Sequence, residues 1–221
     1  MLRSTLTLGS PFLSVALLVL WGWGLDNLAA FFENPVRSAM AAMALATVLA
    51  AAVLKLDFHP LRKGAESVTD QTIQLAVLLV LSLALLWFLP FADRNRILTL
   101  QHGYWRCLGL LLFTVGVTVR IAGLKTLGRN FSAYVTLQPD HRLVQHGIYA
   151  RIRHPLYLSL LLTPTGIALV FASILALPIL ALAAAFIFDR IRQEEHLLAA
   201  RFGAEYEDYQ RRTGKLLPRV L

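Results

Sequence analysis

His154-Pro-Leu-Tyr-Leu-Ser-Leu-Leu-Leu-Thr-Pro-Thr-Gly-Ile-Ala-Leu-Val-Phe-Ala-Ser-Ile-Leu-Ala-Leu-Pro-Ile-Leu-Ala-Leu-Ala-Ala-Ala-Phe-Ile-Phe188 runs without a single Asp, Glu, Lys or Arg. A helix that crosses a membrane needs about 20 mostly apolar residues, and this run is too long for one. It reads as two helices of about 17 residues each, at the short end of that range, joined by a tight turn near Ala172–Ser173. Four further apolar runs precede it: Pro11–Phe32, Val36–Leu56, Thr72–Phe91 and Trp105–Leu124. The expected fold is all-α, a polytopic transmembrane bundle of about six spans whose last two form a helical hairpin. Residues 1–124 make a four-helix transmembrane region. Residues 125–221 hold a long connection, the hairpin and an amphipathic tail.

Composition agrees. The chain has 221 residues, 57% hydrophobic and only 15% charged, against about a quarter charged in soluble domains. Its mean hydropathy is +0.62. The net charge is +8, but no soluble basic domain exists to bind nucleic acid. The basic residues sit in short segments between apolar runs, where Lys and Arg set orientation. With the N-terminus inside, Arg3, Lys55, Arg62, Lys63, the Arg120–Arg153 connection and the tail from Arg190 are inner. Only Arg37, Arg94, Arg96 and Arg106 are outer. Both termini are therefore expected in the cytoplasm. The short, loop-poor, Ala/Leu-rich chain points to a bacterial inner membrane.

Several features read as architecture. The first run is longer than a signal peptide's apolar core and is preceded by only Arg3, so it reads as a retained helix. Asp26 falls near its interfacial end. Trp21, Trp23, Trp87 and Trp105 fall near helix ends, as in an aromatic belt. Ala39–Ala52 is rich in small residues and could pack closely against neighbours. Cys107, the single cysteine, excludes an internal disulfide and a thiolate cluster; it reads as a small buried hydrophobe. His59, His102, His146 and His196 show no metal-ligand spacing.

The polar chemistry collects in the last third. Leu127–Arg153 is rich in His, Arg, Tyr and Gly, yet keeps Phe131, Tyr134, Val135, Leu137, Leu143, Val144 and Ile148. That is too apolar for disorder, so it should fold back onto the membrane face. It ends in Arg151-Ile-Arg153-His154-Pro155-Leu-Tyr157. Pro155 marks a helix start, with His154 at the cap and Tyr157 one turn in. Free N–H groups at such an end attract anions, although two arginines and a histidine also mark a membrane edge. The sixth helix leaves through Asp189-Arg190-Ile-Arg192-Gln-Glu194-Glu195-His196. Arg190 and Glu194 share a helical face; alone, they would make a plain surface salt bridge. The hairpin brings both clusters to one depth, so His154, Tyr157, Arg190 and Glu194 converge as a candidate site. Beyond them, Leu198, Phe202, Tyr206 and Tyr209 recur at helical spacing, in an interfacial helix broken near Gly203.

These residues carry a resemblance. Leu143-Val144-x-x-Gly147-x-Tyr149-x-x-x-Arg153-His154-Pro155-x-Tyr157 is followed by Glu194-Glu195-x-x-Leu198-x-x-x-Phe202-Gly203-x-x-Tyr206-x-x-Tyr209-x-x-x-Thr213 and Pro218. Over residues 125–218 this resembles the isoprenylcysteine carboxyl methyltransferase family, which includes phospholipid methyltransferases. The resemblance implies S-adenosylmethionine as cofactor, held by His141, Val144, Tyr149, His154, Pro155, Tyr157 and Glu194, with Thr136 as a further position. It implies Arg190 at the acceptor substrate, Arg190 and Glu194 as the catalytic pair, and no metal. The acceptor is then a hydrophobic or lipid-linked molecule reaching the site from the membrane lipids. Ser159 stands where the family often has Gly.

The chemistry fits that implication. Helix N–H groups and His154 could meet the cofactor's carboxylate, Glu194 its ammonium, and the tyrosines its cationic or flat parts. Arg190 would suit a carboxylate or a phosphate, which leaves protein-S-isoprenylcysteine O-methylation and phospholipid N-methylation both open. Two other readings compete: a nicotinamide-dependent reductase related to sterol reductases, which have more spans, and a non-catalytic membrane binding protein.

Overall fold

A computed structural model describes residues 19–53, 66–67, 71–128, 136–137 and 143–219. Their regular elements are helices apart from one antiparallel pairing of Glu66–Ser67 (β1) with Thr136–Leu137 (β2). Residues 19–23 are helical, and a 3-10 turn at Leu25–Asn27 follows. Then come α1 (Leu28–Glu33), α2 (Pro35–Val53), α3 (Gln71–Arg94) and α4 (Tyr104–Leu127). The last third holds a 3-10 turn at Gly147–Ala150, α5 (Pro155–Val170), α6 (Ala176–Phe202) and α7 (Ala204–Arg212). Among the described residues two stretches, Ala76–Arg94 and Tyr104–Leu127, are long and apolar enough to cross a membrane, and Pro155–Val170 is a shorter apolar helix.

The boundaries follow local chemistry. The expected first helix, Pro11–Phe32, is interrupted: Gly24 takes φ 103°, a conformation glycine adopts without steric cost, and the chain restarts in the 3-10 turn. A side chain at Gly24 would also run into the Arg94 guanidinium. Asn34 opens α2, accepting hydrogen bonds from the backbone N–H groups of Val36 (3.0 Å) and Arg37 (3.2 Å). Pro35 then occupies the first helical position, where its missing N–H costs nothing. The turn expected near Ala172–Ser173 lies between α5 and α6, with Ala172 at φ 49°. Leu100 N–H donates to Ala172 O (2.7 Å) and Ile174 N–H to Leu98 O (3.1 Å), so the α3–α4 loop is stitched to this turn.

The tightest helix pairing is α4 against α5, from Gly109 beside Val170 to Gly123 beside Leu156 and Pro155. Gly109, Gly116 and Gly123 recur at seven-residue spacing on α4. A Cβ on Gly109 would lie 2.5 Å from Val170 N, one on Gly116 2.5 Å from Thr163 Oγ1, and one on Gly123 2.8 Å from Leu156 Cδ2. Gly166 answers from α5, where a Cβ would meet Phe113 N at 2.5 Å. Small residues allow such approach where apolar side chains gain nothing by leaving lipid.

A core of Trp23, Phe31, Leu89, Phe113, Val170 and Phe171 gathers at the end of the bundle where α5 turns into α6. A buried charge network lies beside it. Asp93 pairs with Arg37 (2.8 Å) and Arg106 (2.5 Å). Arg37 also donates to Phe31 O and Ala30 O, and Arg106 to Val170 O. The Arg37 guanidinium lies 4.2 Å from the Trp23 ring centroid. Trp23 is therefore buried under a cation rather than placed in a belt, while Trp21 and Trp87 are exposed. Cys107 is exposed, contrary to expectation. It lies two residues from Gly109, about 200° around the helix, on the side turned away from α5.

Candidate active site

The other end of α5 holds the second polar centre. Pro155 starts the helix, and Leu158 N–H is the first to close a turn, on His154 O (3.1 Å). Leu156 and Tyr157 N–H thus lie in the helix's first turn, without an intrahelical partner. His154 is only 3% exposed, and its ring centroid is 5.7 Å from that of Tyr157. The Tyr157 side chain interacts with both Glu194 and Arg190 from α6. Arg190 is 4% exposed, so it is no member of a surface ion pair.

Tyr149 joins them from the 3-10 turn, which is held against α4. Gly147 takes φ 59°, and a Cβ there would meet Thr126 Oγ1 at 2.7 Å. Burial raises the Tyr149 hydroxyl well above the usual phenol range, and the nearby charge of Glu194 raises it further. It stays protonated, a donor for any acceptor atom brought into the site.

Glu195 is the carboxylate that meets His154. Its Oε1 lies 3.3 Å from His154 Nε2 and 3.2 Å from Arg153 Nε, and its Oε2 lies 2.7 Å from Lys215 Nζ. Burial would raise this carboxyl, but the hydrogen bonds from His154 and Lys215 outweigh it and hold Glu195 at about 2. It is ionised at any physiological pH.

The tail completes the wall. Gly203, at φ 52°, breaks the helix between α6 and α7 as the sequence suggested. Leu198, Tyr206 and Tyr209 pack with Leu143, Leu197 and Phe202. Burial pushes the Tyr209 hydroxyl up to about 12 against the opposing charge of Arg153, and that hydroxyl donates to Tyr149 O (2.7 Å). Arg153 donates to Gln210 O and Thr213 O. Its N–H bonds Gly214 O (2.9 Å), and His154 N–H bonds Lys215 O (3.0 Å).

Of the predicted site residues, Tyr149, Tyr157, Arg190 and Glu194 come together, with His154 and Pro155 at the helix end beside them. Val144 is half-buried on the approach to the 3-10 turn. His141 lies outside the described residues. Thr136 is paired through its backbone with Ser67. Ser159 is fully buried, its hydroxyl donating to Leu156 O (2.7 Å).

Sequence reasoning missed Glu195 and Lys215. Arg120 lies inside α4 rather than in the connection, three residues before Gly123, which abuts Leu156 and Pro155.

Comparison with known proteins identifies the family. Residues 108–200 match the model of the isoprenylcysteine carboxyl methyltransferase (ICMT) family. A probable protein-S-isoprenylcysteine O-methyltransferase of Oryza sativa subsp. indica is 30% identical over 81% of this chain and 98% of its own length. The protein-S-isoprenylcysteine O-methyltransferase of Tribolium castaneum is 35% identical over 50% of this chain, but the match spans only 41% of the beetle protein. The solved structure of a eukaryotic intramembrane Ras methyltransferase, ICMT, superposes with a TM-score of 0.58 at 25% identity, covering 93% of this chain and 74% of that one. The family match, the relatives and the structural likeness together define the class, a membrane methyltransferase. The chain belongs to the isoprenylcysteine carboxyl methyltransferase family.

Proposed function

We propose that this protein transfers a methyl group from S-adenosylmethionine to the carboxylate of a hydrophobic, lipid-linked acceptor, in the manner of a protein-S-isoprenylcysteine O-methyltransferase. The observation that carries this reading is the meeting of Tyr149, Tyr157, Arg190 and Glu194 beside the first turn of α5, at one end of a membrane-type hairpin. The donor set suits the cofactor. Leu156 and Tyr157 N–H groups and His154 suit its carboxylate, Glu194 its ammonium, and the tyrosine rings its cationic or flat parts. Val144 and Pro155 would line the same pocket. When bound, S-adenosylmethionine supplies a methyl group on a positively charged sulfur, ready for in-line displacement.

The residues then have alignment as their task. Arg190 would hold the acceptor's anionic end. The apolar faces of α4 and α5 would guide its lipid part from the bilayer. A carboxylate oxygen that attacks the methyl carbon carries no proton, so no general base is needed. Buried tyrosines that stay protonated do not compete with it as nucleophiles. We read six crossings with both termini cytoplasmic, supported by the Lys/Arg bias, in a membrane of bacterial inner-membrane type.

Calorimetry of the detergent-solubilised protein with S-adenosylhomocysteine tests the donor site: saturable heat is expected, and none at millimolar ligand would overturn the reading. Incubating membranes with isotope-labelled methyl donor tests the acceptor. A base-labile methyl ester in the lipid-linked fraction, absent with Glu194→Gln, is expected. Label appearing on a phospholipid amine instead would replace the acceptor with a phospholipid headgroup.

A further inference from the structure

The carboxylate on His154 is bound from three sides, and one of them is the C-terminal segment. Lys215 Nζ lies 2.7 Å from Glu195 Oε2, while Glu195 Oε1 faces His154 and Arg153. The same short segment accepts the His154 N–H on Lys215 O and the Arg153 N–H on Gly214 O, and Gly214 N–H returns to Arg151 O. The residue that opens α5 is therefore held twice by the tail, through its backbone directly and through its ring by way of Glu195. The tail reaches this point because Gly203 turns α7 back and Tyr206 and Tyr209 seat it. The Lys215 side chain is 44% exposed. Among the described residues its ammonium pairs with Glu195.

We propose that Lys215 and Glu195 form a latch by which the C-terminal segment fixes the orientation of His154 and the first turn of α5. Both are positioning residues that act on the donor site without touching what it binds. The carboxylate holds the imidazole, and the ammonium holds the carboxylate against the tail. Its consequence for ligand binding rests on the methyl-donor reading above; the latch itself does not.

Two measurements separate these. Hydrogen exchange over residues 151–158 reads the latch without ligand, and calorimetry with S-adenosylhomocysteine reads its consequence. Lys215→Met should speed exchange at His154 and its neighbours. It should also weaken S-adenosylhomocysteine binding about fivefold, the scale of a partly exposed ion pair. Lys215→Arg should restore both. In a Glu195→Gln background, Lys215→Met should add little, because the partner charge is already gone. Wild-type exchange in Lys215→Met would overturn the latch, as would an unchanged loss in the Glu195→Gln background or a failure of Lys215→Arg to rescue. If exchange responds as expected but the wild type takes up no S-adenosylhomocysteine, the latch stands and the methyl-donor reading falls. A lower thermal midpoint with unchanged affinity would make Lys215 a structural residue only and would also overturn the proposal.

Discussion

The two ends of α5 are built on the same plan and used differently. Each centres one carboxylate between two cations: Asp93 with Arg37 and Arg106 where α5 turns into α6, Glu195 with Arg153 and Lys215 where α5 begins. At the first end the remaining guanidinium N–H groups go to the carbonyls of Phe31, Ala30 and Val170, and the Asp93 side chain is 3% exposed. That network turns its donors inward, to Asp93 and to backbone carbonyls. At the second end the backbone donors at the start of α5 and the Tyr149, Tyr157, Arg190, Glu194 group sit beside the ion cluster. One of the cluster's cations is reachable by solvent. A buried charge group that is fully satisfied holds helices in place; one set beside further polar groups can serve chemistry.

The sharpest way to break this contrast is Asp93→Ala. It leaves two guanidinium groups buried beside each other, and removing one partner of such a network costs about 3–5 kcal/mol. The expected outcome is a large fall in the thermal midpoint in detergent, with S-adenosylhomocysteine affinity unchanged in whatever remains folded. A loss of affinity larger than the loss of folded protein would mean the two ends are coupled.

Next in size is Glu194→Gln. It keeps the shape but removes the charge proposed to meet an ammonium, and a hydrogen bond to a charged group is worth about 1.5–3 kcal/mol. Calorimetry should show roughly a tenfold to hundredfold weaker S-adenosylhomocysteine binding with little change in stability, the reverse of Asp93→Ala. Gly166→Ala sharpens the comparison from the middle of α5. Its Cβ would meet Phe113 backbone at 2.5 Å, and overpacking of this kind costs about 1–3 kcal/mol. It should lower the thermal midpoint moderately and leave ligand affinity nearly intact, unless the α4–α5 spacing sets the donor site.

Much of this was legible in the sequence where a local rule applied. Pro155 marked the start of α5, Gly203 the break before α7, and the length of the His154–Phe188 run the turn near Ala172. The meeting of His154 with the end of α6 followed from the hairpin alone. What stayed hidden depended on partners distant in the chain. Arg37 and Asp93 are 56 residues apart, and no periodicity links them, so Trp23 read as a belt residue and Arg37 as a topological marker. Glu194 and Glu195 are neighbours about 100° apart on one helix. Which of them faces His154 depends on the rotation of α6, which an apolar run without a polar stripe does not reveal. The seven-residue glycine spacing on α4 was visible but competed with the denser alanines of α2.

The smallest expected effect concerns acid, and it separates the two ends by titration. Glu195 is held at about 2, below its ordinary 4.5. A carboxylate depressed by folding contributes stability that is fully present above the ordinary value and is lost as pH falls toward the depressed one. The latch should therefore loosen between about pH 4.5 and about pH 2. In Glu195→Gln the titrating group is gone, so the difference in thermal midpoint between that variant and the wild type should be greatest above about pH 5 and shrink through this window. Hydrogen exchange can follow the same change locally: residues 151–158 should lose protection in the wild type as pH falls, after correction for intrinsic exchange, while the glycine-paired middle of α5 keeps it. Equal loss at both places would mean that acid unfolds the bundle as a whole. The tail would then be no separable device but one more part of a single cooperative core.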